Sequence, residues 1–182
     1  MRVLYDFISL YEFICTFGLL LLGVITQNVF ILSLVAALFS KQLPEKAIKL
    51  AMSGSDINKR PKCAYDCDMI NKGGCAADRG GFPSGHSTVA SFMFFIILLY
   101  VYSMGSSNIN LNVLVAINFI FMLLVPYARV KSNCHTFPQV IGGVILGFLW
   151  AILFFNLDKY VFSKNELYNS DKAKFFSFLS GK

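Results

Sequence analysis

Only two histidines occur in the 182 residues, and both sit where chemistry could be done. His86 ends the turn Pro83-Ser84-Gly85-His86 in "GGFPSGHSTVASFMFFIILLY", residues 80–100, at the lip of a long apolar run. His135 lies in "ARVKSNCHTFPQ", with five residues between it and Arg129, and Gln139 follows four positions later. A third cluster, "NKRP", supplies Lys59 and Arg60. Two guanidinium forks match the geometry of phosphate oxygens. The turn at Ser84–Gly85 opens a helix whose first N–H groups and dipole favour an anion, and Gly85 lets the backbone approach a ligand closely. Two imidazoles provide what a displacement at phosphorus requires, one as nucleophile or base and one as general acid. Gln139, one helical turn beyond His135, is spaced to share its face and orient it. No dense carboxylate cluster accompanies these groups, which argues against a two-metal hydrolase.

The elements that must carry these residues are membrane helices. Hydrophobic residues make up 56% of the chain and charged residues 14%, where a soluble domain carries about a quarter charged. Residues 13–40, 80–128 and 132–157 contain no Asp, Glu, Lys or Arg. Each run exceeds the roughly 20 residues a bilayer core demands of a helix. Three spans are expected, at 88–104, 111–125 and 136–155. Gly143 and Gly147 in the third have the spacing that lets helices pack closely. The run from Phe13 to Ser40 is too long for one upright span and short for two, and extending it to Val3 and Leu50 gives two helices, broken near Gln27–Asn28. The chain thus reads as all-α, a polytopic transmembrane helical bundle of five spans, with four as the alternative. It forms one membrane-embedded domain over residues 1–182, with a polar C-terminal tail at 158–182. Asp6 and Glu12 interrupt the first apolar run, so it reads as a retained anchor and not a signal peptide.

Parity makes this pattern functional. From His86 to Arg129 the chain crosses the bilayer twice, so both emerge on one face. His135 and the loop at 53–81 share that face. Lysines in the tail place it in the cytosol by the positive-inside rule, which puts the active face outside or in the lumen. The net charge of +6 suits anionic partners such as lipid phosphates at a bilayer surface. No basic stripe with interleaved aromatics suggests a nucleic acid. Oligomeric state is not legible.

Arg-Pro, Pro-Ser-Gly-His and Arg-x5-His in that order resemble the three-part signature of the type-2 phosphatidic acid phosphatase superfamily, over residues 59–143. Within it, "HTFPQVIGG" is most similar to the dolichyl diphosphate phosphatase branch. The resemblance implies a metal-independent, cofactor-free phosphatase acting on a membrane lipid phosphate or diphosphate, polyprenyl or dolichyl diphosphate first. It implies His135 as the nucleophile that forms a phosphohistidine and His86 as the general acid. Arg60, Arg129, Ser84 and the Gly85 amide would bind the phosphoryl oxygens. It also implies a multi-pass protein of the endoplasmic reticulum or another endomembrane. A phosphatidate or broad lipid phosphate phosphatase is the alternative enzyme, and a catalytically inactive headgroup-binding protein the alternative of another class.

Two departures from the family pattern matter. Gln139 stands where the family usually has aspartate, so Gln139→Asp is expected to keep or raise activity. Ser53 stands where the family has a lysine, which Lys49 or Lys59 could replace. Among the simpler readings, the histidines could be interfacial, the arginines snorkelling anchors, and Gln139 a link between helices. Lys131 reads as an anchor of that kind. Cys63, Cys67 and Cys75 precede the Pro-Ser-Gly-His turn and Cys134 abuts His135. A disulfide bracing the loop, a zinc site and free thiols all stand open. Cys15 reads as packing.

Overall fold

Gln27 breaks the N-terminal apolar run. It adopts a left-handed conformation (φ 51°) after helix α1, Tyr11–Thr26, and Asn28 then caps helix α2, Val29–Ser40, by accepting from the Ile31 N–H at 2.9 Å. This is the break expected from the polar pair, and it yields helices of 16 and 12 residues. The computed structural model describes residues 10–62, 67, 80–105 and 108–181. Cys63, Cys75 and most of the loop before residue 80 lie outside the described residues. A short amphipathic helix α3, Gln42–Ala51, follows. Three long helices come next: α4, Gly85–Ser103; α5, Ile109–Lys131; and α6, Phe137–Tyr160. The chain closes with α7, Glu166–Ser180.

Among the described residues, three helices, α4, α5 and the segment Phe137–Lys164 that begins with α6, are long and apolar enough to cross a membrane. Helix α5 runs past residue 125, where the apolar run suggested an end, and carries Pro126 inside it. Arg129 therefore stands in the last helical turn, held by a rigid element, and not in a loop.

Helix α4 is central, and Gly143 and Gly147 of α6 bring the two together. A Cβ on Gly143 would strike the Ser84 carbonyl oxygen and Ser87; one on Gly147 would strike the Thr88 carbonyl and Ser91. Only a bare Cα allows this approach, which sets His135 at the head of α6 beside the Pro-Ser-Gly-His turn at the head of α4. Ser91 donates to the Val144 carbonyl at 2.7 Å across the same seam. The polar stretch after Asp158 is mostly helix. Helix α7 packs on α2, with Phe30 surrounded by Tyr168, Phe175 and Phe176. Asp171 accepts from the Val29 N–H at 2.9 Å, and its carbonyl accepts from Asn28 at 2.9 Å. Ile117, Ile120 and Leu123 of α5 and Ile145 and Leu149 of α6 remain exposed, an apolar outer surface suited to lipid.

Candidate active site

Gln139 organises the site. It is fully buried and all four hydrogen bonds of its amide are made. Its Nε2 donates to the carbonyls of Ile57, at 2.9 Å, and Lys59, at 2.8 Å. Its Oε1 accepts from the Thr136 N–H at 3.1 Å, closing a capping box at the start of α6. The same oxygen lies 3.1 Å from His135 Nδ1. Because the amide nitrogen is committed to two carbonyls, the atom facing His135 must be the oxygen. An oxygen can only accept, so Nδ1 carries the ring proton and Nε2 keeps its lone pair. The backbone reinforces the arrangement: the Ser84 N–H donates to the Gln139 carbonyl at 3.0 Å. A Cβ on Gly81 would come within 2.6 Å of the Gln139 amide, so the turn before His86 needs glycine there.

This reverses the expectation for Gln139→Asp. A glutamate at 139 would turn an acceptor toward the carbonyls of Ile57 and Lys59, and an aspartate would be too short to reach them, so both lose two hydrogen bonds, each worth about 0.5–1.5 kcal/mol. Gln139→Glu and Gln139→Asp are therefore expected to lower the thermal unfolding midpoint. Through the misplaced ring they are also expected to lower turnover about 10²-fold. Thermal scans and rate measurements on both variants check this.

Buried His135 is only 3% exposed. Burial, then the positive charges of Arg60, Arg129 and His86, hold its ring well below the ordinary histidine range. The charges of Arg60, Arg129 and His86 thus act together on the His135 ring. Arg129 is buried and donates to the Cys67 carbonyl at 2.7 Å. Arg60 donates to the Cys134 carbonyl at 3.2 Å. Cys67 and Cys134 form a disulfide with Cα atoms 5.4 Å apart, so of the alternatives for these two cysteines the disulfide holds. Its pairing ties the loop directly to the residue before His135. Both arginines are aimed through carbonyls of the two bridged cysteines.

Asn58 anchors the other side. It donates to the Lys49 carbonyl at 3.1 Å and accepts from the Phe82 N–H at 3.0 Å, and its carbonyl accepts from Gly81 at 2.7 Å. It therefore links the end of α3 to the turn that carries His86. Lys49 and Arg60 line an open polar hollow of about 700 Å³, with Lys46 and Lys59 at its wall. Burial first, then repulsion from Arg60 and Lys41, lowers the Lys49 ammonium against the pull of Glu45 and Glu12. Lys59 is different: its side chain is 68% exposed and its ammonium bonds Asp56 at 2.7 Å. Ser84 is fully buried, and its hydroxyl oxygen accepts from Ser87 at 3.1 Å. Gly85 lies against Glu45, and its carbonyl accepts from Lys41 at 3.4 Å.

Sequence reasoning missed a charged cluster at this corner. Lys41, 4% exposed, bonds Glu12 at 3.0 Å and Glu45 at 3.2 Å. Glu12 in turn places its other oxygen 3.4 Å from His86 Nδ1. The signal was present, because a carboxylate next to a long uncharged run is costly unless it has a partner.

The family model described as the PAP2 superfamily matches residues 18–163. No curated protein and no solved structure matches the chain.

Proposed function

Because the chain belongs to the PAP2 superfamily, we propose that it is a lipid phosphatase working through a phosphohistidine on His135, with a polyprenyl or dolichyl diphosphate as substrate. The observation that carries the reading is His135 itself: a neutral ring, its Nδ1–H held by Gln139, in the field of Arg60 and Arg129. The Nε2 lone pair attacks the terminal phosphorus and a P–N bond forms. The bond from phosphorus to the departing lipid phosphate oxygen breaks, and that oxygen takes a proton from His86. Arg60, Arg129 and Lys49 meet the charge that develops on the equatorial oxygens, an electrostatic contribution of about 3–4 kcal/mol per well-placed donor. The first-turn amides of α4, Gly85 included, add to it. A water then attacks phosphorus, the P–N bond breaks, phosphate leaves, and the water's proton returns to His86.

The substrate's apolar chain has a place to lie. A cavity of about 330 Å³ is lined by Tyr11, the neighbour of Glu12, and by Cys15, Leu19, Leu34, Met93 and Ile97, among others. The Cys67–Cys134 disulfide supports an oxidising location for the site, at the lumen or outer face of an endomembrane such as the endoplasmic reticulum. In this reading α1 and α2 complete five spans.

Purified protein in detergent, assayed with a chelator, is expected to release phosphate from a polyprenyl diphosphate faster than from phosphatidate. Faster release from phosphatidate would make it a broad lipid phosphate phosphatase. Release from neither, with headgroup binding intact, would make it an inactive binder.

A further inference from the structure

His86 works in a corner crowded with positive charge. The positive charges of Lys41, between α2 and α3, and Arg129 on α5 act on the Glu12 carboxylate together with His86, and those of His86, Arg60 and Arg129 act together on the His135 ring. A general acid must hold its proton before the reaction starts, and nearby cations drive an imidazole toward the neutral form. Glu45 is engaged with Lys41. Glu12 touches the ring, with Oε2 3.4 Å from Nδ1, while its Oε1 is fixed by Lys41. Helix α1 thus brings one carboxylate to the one ring that needs it. Residue 12 also lies outside the matched region, 18–163.

We propose that Glu12 is a positioning residue for the general acid: its carboxylate holds His86 as an imidazolium through Nδ1 and leaves Nε2–H for the departing oxygen. This rests on the reading of the chain as a phosphatase. The two histidines then have parallel supports of opposite character. Each ring is held at Nδ1 by a side-chain oxygen, His135 by a neutral amide and His86 by a carboxylate. The neutral partner suits a ring that must offer a lone pair, and the charged partner suits a ring that must keep a second proton. Lys41 sets the rotamer of Glu12 and, through the Gly85 carbonyl, ties that rotamer to the helix carrying His86.

The test is the pH dependence of kcat with a lipid diphosphate, for wild type, Glu12→Gln and Glu12→Asp. Losing the charge is expected to move the basic limb about one pH unit or more toward acid, with roughly a tenfold lower rate on that limb. Glu12→Asp, which keeps the charge, is expected to hold the limb near its wild-type position. A Glu12→Gln profile that overlays wild type, or falls equally at every pH, overturns the inference. Should Glu12→Gln fail to accumulate, His135→Ala leaves His86 as the single histidine. Its ¹⁵N spectrum at neutral pH is then expected to show both ring nitrogens protonated, and a neutral ring overturns the inference. If wild type releases no phosphate from any lipid, the phosphatase reading fails instead.

Discussion

His135→Ala reduces phosphate release to background, an expected loss on the order of 10⁵- to 10⁶-fold, the scale seen when a covalent nucleophile is removed. The argument is geometric. Gln139 leaves only Nε2 with a lone pair, and no second imidazole can substitute because His86 is tied to Glu12. Acid-quenched wild type should carry an acid-labile phosphoryl group that His135→Ala lacks. Substantial turnover in the variant, or a phosphoryl group on another residue, would remove His135 from the mechanism. The pH dependence follows in sign. The nucleophile must be unprotonated, and its ring is held below the ordinary histidine range by burial and by Arg60, Arg129 and His86. The acidic limb of kcat/KM therefore lies below that range. Arg129→Ala removes one of those charges, so the limb should move toward higher pH while the rate falls.

His86→Ala carries the second-largest loss, about 10²- to 10⁴-fold with a lipid leaving group, the range general acid catalysis supplies. The loss should depend on the leaving group. An aryl phosphate with an acidic phenol departs without a donated proton, so the same variant should lose less than about tenfold on that substrate. Equal losses on both substrates would mean that His86 binds phosphate and does not donate a proton. The partly exposed position of His86, against the buried one of His135, suits a group that must exchange its proton with water in every cycle.

Much of this site was legible because its signals are local. The run of uncharged residues marks a helix wherever it packs, and alternation of runs and motifs puts His86, Arg129 and His135 at one end of the bundle. His135 and Gln139 are one turn apart, so their contact needs only the start of α6. Gln27–Asn28 marks a break because polar residues there compete with helix. Lys49 could not be separated from Lys59 in this way. Lys59 directly precedes Arg60 and Lys49 lies eleven residues before it, and only the fold shows that both line the hollow beside Arg60 while Lys59 also pairs with Asp56.

The amino-acid sequence alone determined the class of the protein, its long helices, the order of its motifs and the chemistry those residue types can perform, since hydropathy and helical spacing are properties of neighbours along the chain. Tertiary packing decided which distant groups meet. It selected Cys67 as the partner of Cys134, brought the carbonyls of Ile57 and Lys59 to the Gln139 amide, and turned Ser84 inward. It also carried Glu12 across to His86. These contacts join residues far apart in the chain. They depend on how closely the bare face of Gly143 and Gly147 lets α6 lie on α4, and on how the turn at Gln27 folds α1 against α2.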